Sequence, residues 1–405
     1  VLVVGAGPAG GDLARQLALH GVDVLLVDRL PSLERAAFSS AAMPLAALER
    51  FGLPAAVVAA RWQGWELFGP GEHRRCWDSP RPQGVVLDFA ALRHWLVAET
   101  ERWGGAVRLG LRALACRQES STMVTRLRSV AGEVLEVRSA WVVDATGQER
   151  GLLGDPSPGP AGRDGLVSGV GLEWLVEVPQ ACWQRWAPRL AFCLGSDWVS
   201  QGYGWVFPMQ SGRLKVGICR LQDPGRRQPS LAPVLEALLA RLFSPAERTS
   251  MMVLDRHGGL IRSTIARREP HRRGRLLGLG DAVSTANLLG GEGIRHALTS
   301  SRVLAPLLLE SLSAQRSGPE GGAGTDALGA YPQLLRRALG RRWELSGRLA
   351  RRTWLGLHSP GADRRLEQLL ASLEGGKAED LSALLFGYRF ERYGLRALPY
   401  LLGLR

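Results

Sequence analysis

Lysine is almost missing from this chain. Only Lys215 and Lys377 occur among 405 residues, so 49 of the 51 cations are arginine, and 38 acids leave a net charge of +13. Such a skew reflects genomic base composition as readily as function. No nucleic-acid motif and no interleaving of aromatic with basic residues accompanies it, so no nucleic-acid partner is expected. The charge reads first as a solvated basic surface, and second as a face toward an anionic membrane or an acidic partner. Cysteine is scarce too. Cys76, Cys116, Cys182, Cys193 and Cys219 are odd in number and never form C-x-x-C, which excludes a disulfide framework and a zinc site and predicts a reducing, cytoplasmic setting. No apolar stretch reaches membrane-span length. At this length the chain can bury a large core, and two domains are the default.

What is present begins at the first residue. Val1-Leu-Val-Val4 predicts a buried strand, Gly5-Ala-Gly7-Pro8-Ala9-Gly10 a glycine turn, and Leu13, Leu17 and Ala18 one face of a helix. Val24-Leu-Leu-Val27 predicts a second strand, closed by Asp28 and Arg29. Each part of this fingerprint has a task. Gly5 makes the tight turn, Gly7 lets backbone approach a pyrophosphate, and Gly10 lets the helix lie close on the sheet. The helix N-terminus offers free N–H groups and the positive end of its dipole. Asp28 stands where a carboxylate accepts hydrogen bonds from an adenosine ribose.

The chain returns to this unit twice. Trp141-Val-Val-Asp144 reads as a strand leading into Ala-Thr-Gly147, a turn that taken singly is as often ordinary as functional. Arg275 to Asp281 reads as a strand ending in Gly280-Asp281, where Asp281 can bond a polyol. Gly290-Gly291-Glu292-Gly293 follows and opens a long helix from Ile294 to about Leu312, with N–H groups aimed where negative charge needs stabilising. Between the returns lie aromatic-rich segments. Trp62, Trp65, Phe68 and Trp77 predict antiparallel strands, and Phe89 to Trp103 a helix. In Tyr203-Gly-Trp205-Val-Phe207-Pro208 the three aromatics alternate and so share one side of a strand. Such a row packs a core or floors an apolar cavity.

Gly5-x-Gly7-x-x-Gly10, Asp144-Ala-Thr-Gly147 and Gly280-Asp281 together resemble the hydroxylase-like FAD flavoproteins over residues 1 to about 312. The Gly-Glu-Gly-Ile294 and Tyr-x-Trp-x-Phe-Pro208 runs narrow the resemblance to the geranylgeranyl reductase family, which saturates double bonds of prenyl chains. That family carries Gly-x-Gly seven or eight residues after the aromatic motif. Here eight residues intervene and the last glycine is Cys219. The family's Cys-Gly-Gly falls on Ser39-Ser40-Ala41, Phe89 stands where an arginine is frequent, and Arg295-His296 follows where less polar residues are common.

The resemblance implies an α/β fold: a Rossmann-like FAD-binding domain (1–60, 85–165, 272–312) interleaved with an antiparallel β substrate domain (61–84, 166–271), plus a helical C-terminal region (330–405). It implies FAD held by Gly5, Gly7, Pro8, Ala9, Gly10, Asp28, Arg29, Gly147, Gly280, Asp281, Gly291, Gly293 and Ile294. The substrate, a prenyl-chain lipid or pigment precursor, would lie on Tyr203, Trp205, Phe207 and Pro208. Reduced FAD would give hydride and an acid a proton. Ser39 and His296 are the catalytic candidates, with Tyr203 a further donor. A single dinucleotide fingerprint means that NAD(P)H binds transiently or an electron-donor protein serves. An aromatic or polyprenyl monooxygenase, a non-redox carotenoid cyclase and a non-catalytic flavin or lipid binder remain the alternatives. No metal site is expected.

Past a Gly- and Ala-rich break, Gly318 to Gly329, the tail is amphipathic. Tyr331 to Arg352 carries leucines among seven arginines, and Leu366 to Leu373 and Leu381 to Phe386 are two further amphipathic, leucine-bearing stretches. Helices that cap the substrate domain are the first reading, and peripheral docking on an anionic membrane the second.

Overall fold

The computed structural model describes residues 1–34, 39–156, 166–210, 212–264, 269–316 and 326–390. Arg35 and Phe38, and the break from Gly318 as far as residue 325, lie outside the described residues. The family-like architecture expected from sequence is present: a parallel sheet, antiparallel sheets and a helical C-terminal region.

The short β-branched runs become the middle of a six-stranded sheet because both of its faces are covered. Its order is Arg272–Arg273, Leu276–Gly278, Val142–Asp144, Leu2–Val4, Leu25–Asp28 and Ala106–Leu109, parallel except at the first pair. The three glycine- or acid-ended strands are thus neighbours, and their following turns meet at one edge. Helix Pro8–Leu19 packs on this sheet beside helix Ile294–Arg316. Buried Asp12 clamps the two: it accepts from Arg15 at 2.8 Å, from Arg302 Nε at 3.0 Å and from the Ser301 hydroxyl.

A seven-stranded sheet forms the second body. Its order is Met252–Thr264, Leu166–Glu177, Arg213–Leu221, Gly202–Pro208, Arg189–Leu194, Gly64–Phe68 and Arg74–Asp78. Between the sheets lies a small one of Ala42–Pro44, Gly84–Leu87 and Val58–Trp62, so the boundaries expected near 60 and 85 both fall within paired strands. The helix expected from Phe89 is Phe89–Arg102, started by the Asp88 carboxylate accepting from Ala91 N at 3.0 Å.

The tail divides more finely than its pattern predicts. Gly340, at φ 85°, breaks the first amphipathic stretch into Tyr331–Leu339 and Arg341–Gly356. Pro360–Ser372 and Ala378–Leu385 follow. Trp354, Leu366, Leu370, Leu373 and Leu381 join the core of Trp62, Trp65, Tyr203, Trp205 and Phe207. The helices therefore cap the aromatic face of the large sheet. Arg336, Arg337, Arg341, Arg342, Arg348, Arg351 and Arg352 stay exposed. Among the described residues no helix is long and apolar enough to cross a membrane.

Candidate active site

At the parallel sheet the three glycines of the first turn do different things. Gly5 sits at φ 111°, and a Cβ on it would lie 2.7 Å from the Ala145 carbonyl carbon. A Cβ on Gly10 would come within 2.9 Å of the Ala145 methyl. Among the described residues Gly7 has nothing within 4 Å of its absent Cβ. Two glycines are filled by the fold, and the third opens on free space. Helix Pro8–Leu19 begins there with proline in its first turn and no side-chain cap, so its leading N–H groups are uncommitted to side chains.

The acids nearby are set by backbone. Asp28 is buried and accepts from Ala6 N at 2.7 Å and Leu30 N at 2.9 Å. Asp144 is wholly buried and accepts from Thr146 N and Oγ1, Leu152 N and Leu153 N at 2.6 to 3.0 Å, which ties down the turn carrying Gly147. Arg29 points elsewhere. Its half-exposed guanidinium pairs with Glu149 at 2.5 Å. Gly280, at φ 63°, would put a Cβ 2.8 Å from that of Ala9, so the third turn closes on the first helix. Asp281 accepts from Thr285 at 2.9 Å, and desolvation pushes its carboxyl up against Thr285 and Arg150.

The Gly290–Gly293 turn joins this end to the large sheet. A Cβ on Gly293 would lie 3.7 Å from Asp281 Oδ2, and one on Gly291 would lie 3.3 Å from the Tyr203 hydroxyl. Beyond the turn is a cavity of about 210 Å³. Tyr203, Phe207, Phe192 and Trp65 form its sheet side, and Leu366, Leu370, Leu381 and Leu385 its helical side. A second cavity, of about 290 Å³, shares Ser39, Tyr203, Phe207 and Gly291 with it and reaches Glu173, Trp205 and Cys219. Ser39 thus lines both. Its carbonyl accepts from the Lys215 ammonium. Two residues on, Ala41 is buried at φ 50°, a left-handed conformation that favours glycine.

The FAD binding domain family matches residues 1–320. The chain belongs to that family. Among relatives of this FAD binding domain, the digeranylgeranylglycerophospholipid reductase of Haloferax volcanii is 29% identical over 320 residues, 75% of this chain and 74% of the relative. The menaquinone reductase of Mycobacterium tuberculosis is 26% identical over 365 residues, 86% and 83% of the two chains. A geranylgeranyl bacteriochlorophyll reductase-like structure from Thermoplasma acidophilum shares the fold, at TM-score 0.77 and 21% identity over 96% of this chain and 97% of that one. With its family and these reductases as relatives, the protein is an FAD-dependent oxidoreductase.

The expected site residues of this FAD binding domain separate into groups. Gly5, Gly7, Pro8, Ala9, Gly10, Asp28, Gly147, Gly280 and Asp281 meet at one sheet edge, and Gly291, Gly293 and Ile294 adjoin them. Arg29 is spent on Glu149. Tyr203 and Phe207 line both cavities and Trp205 the second. Pro208 lines neither, because a strand alternates sides and it falls on the face of Val206. His296 also misses both. One helical turn beyond Glu292, its Nδ1 meets the Glu292 carbonyl at 2.9 Å and its Nε2 lies 3.4 Å from the Tyr388 hydroxyl. Burial pushes the Glu292 carboxyl up, yet Arg295, His296 and Tyr388 outweigh it and hold it low. His296 belongs to that polar cluster, against Trp343, rather than to either of these two cavities.

The residues that sequence reasoning missed are Glu173 and Lys215. Both are buried in the large sheet. A signal existed for one of them: a chain that uses arginine almost everywhere keeps one of its two lysines beside the aromatic row.

Proposed function

We propose that this protein reduces carbon–carbon double bonds of a prenyl chain. The observation that carries the reading is the first cavity, an apolar space between Tyr203 and Phe207 on one side and leucines of the tail on the other, ending at the Gly290–Gly293 turn. Burial of a hydrocarbon chain there is favourable by roughly 25 cal/mol per Å² of apolar surface. The reductases among its relatives support the same chemistry.

The protein end of the cofactor site fits FAD, because Gly7 leaves open the space that a side chain would fill. The uncapped N-terminus of Pro8–Leu19 would take the pyrophosphate, Asp28 the ribose, and Asp281 the linking polyol. When bound, FAD supplies hydride in its reduced form. Gly291 and Gly293, at the head of Ile294–Arg316, would set N–H groups against the negative charge that reduction brings. Tyr203 and Phe207 would hold the alkene, and the leucine wall would exclude water. Electrons would come from NAD(P)H, bound transiently, or from a donor protein. The exposed arginines of Tyr331–Leu339 and Arg341–Gly356 would rest on an anionic membrane surface, where such lipids reside.

The test is anaerobic. The purified flavoprotein is reduced with dithionite, geranylgeranyl lipids are added, and flavin absorbance is followed. Return of the oxidised spectrum with a more saturated product is expected. A flavin that stays reduced with every prenyl lipid, and hydroxylates one once oxygen enters, overturns the reading in favour of a monooxygenase.

A further inference from the structure

Strand pairing sets five residues in a row across the large sheet. His257 lies opposite Glu173, Glu173 opposite Gly217, Gly217 opposite Trp205, and Trp205 opposite Phe192. Residues so paired share a face and are near neighbours. The glycine in the middle matters. A Cβ on Gly217 would lie 2.5 Å from Trp205 Cε2, so the indole lies over that strand in the space a side chain would take. Lying there, it reaches two strands away. Trp205 Nε1 donates to Glu173 Oε2 at 2.5 Å.

Lys215 is two residues from Gly217 and so on the same face. Its ammonium reaches the Ser39 carbonyl and lies 3.5 Å from that of Leu87. Glu173 is 5% exposed. One of its oxygens is held by Trp205, while Oε1 has no hydrogen-bond partner among the described residues. Glu173 lines the second cavity with Ser39, Tyr203, Phe207 and Gly291. An unmatched oxygen in such a place costs far less on a neutral carboxylic acid than on a carboxylate.

Resting on the reading of the protein as an alkene reductase, we propose that Glu173 is the catalytic acid, with Lys215 and Trp205 as its positioning residues. The step balances. Hydride from reduced flavin forms a C–H bond at one alkene carbon, the π bond breaks, and its electron pair takes the Glu173 proton at the other carbon. Glu173 is left as a carboxylate beside the Lys215 ammonium and the Trp205 N–H, and water restores its proton. The competing donors are weaker acids. Burial pushes the Tyr203 hydroxyl well above its usual range and the Cys219 thiol up to about 12. Burial pushes the Glu173 carboxyl up to about 7, with Lys215 and Trp205 opposing it. The other ionisable groups facing this space are His257, whose imidazole burial lowers, and Arg220.

Glu173→Gln keeps an oxygen for the Trp205 N–H and removes the acid. The expected result is a loss of alkene reduction of roughly 100-fold or more, with flavin content and prenyl-lipid binding unchanged. Glu173→Asp should restore part of the rate with a shifted pH profile. Lys215→Met should move the pH limb of the rate without abolishing it. Independently of turnover, infrared difference spectra of the parent should show a carboxylic-acid band lost as pH rises through the neutral range and absent in Glu173→Gln. An active parent with an equally active Glu173→Gln overturns the proposal alone. So does a Glu173 carboxyl ionised throughout that range, even if the glutamine variant fails to fold. A parent that reduces no prenyl lipid overturns the alkene-reductase reading, and the catalytic role with it.

Discussion

The two ends of the site are built by opposite means. At the parallel sheet the working surface is backbone: an open glycine, uncapped helix N–H groups, and acids whose oxygens are already tied to main chain. At the large sheet it is side chains, gathered from five strands and five stretches of sequence into rows. A backbone site needs residues close in sequence, because a turn is local. A side-chain site needs only that strands lie side by side, and its members can be as far apart as Glu173 and Trp205.

The sharpest way to break this contrast lies among the glycines. Gly10→Val should leave little folded protein, since its Cβ meets backbone and the Ala145 methyl. Gly7→Val should fold with a normal circular dichroism spectrum and carry no flavin. A yellow, fully occupied Gly7→Val protein would show that the open glycine faces no cofactor.

Next in size is a pH effect at the other end. Glu173 titrates near 7 in the folded protein against 4.5 ordinarily, so the folded state binds its proton more tightly. Its contribution is full below about pH 4.5 and is lost as pH rises through about 7, on the order of 3 kcal/mol in all. Denaturation midpoints of Glu173→Gln should therefore gain on the parent between those values. Parallel curves for the two proteins would mean that the carboxyl is not held protonated.

The leucine wall offers a smaller lever. Leu370→Asp should raise KM for a prenyl lipid by about 10- to 100-fold, the worth of one buried leucine, and leave flavin absorbance intact. Flavin loss in that variant would show that the two ends are not separable. Smallest of all, Arg29→Ala removes a half-exposed ion pair and should change stability and flavin affinity by under about 1 kcal/mol. A larger effect on flavin titration would restore Arg29 to the cofactor site.

The same contrast decides what could be read without a structure. Gly5, Gly7, Gly10, Asp28 and Gly280-Asp281 were legible because each marks the end of a strand, and a parallel sheet brings such ends together. The shared side of Tyr203, Trp205 and Phe207 followed from alternation, and the same rule displaces Pro208. The pairing of Glu173 with Lys215 was not legible, since 42 positions separate them and only the strand order makes them neighbours. The surroundings of His296 were not legible either, because its place beside a glycine turn says nothing of Tyr388, 92 residues away, which meets it. The strain at Ala41 bears on the comparison of Ser39-Ser40-Ala41 with Cys-Gly-Gly: the alanine adopts the backbone that a glycine would take freely.

The leucine wall has one more consequence. The stretch shared with the FAD binding family ends at residue 320, whereas Leu366, Leu370, Leu381 and Leu385 all come later. The cavity therefore has two authors. One part of the chain forms the glycine turn, and another forms the wall that faces the aromatic row. On the proposed reading the tail is a gauge, and trimming its helices should change the size of prenyl chain that is reduced while flavin binding stays as it is.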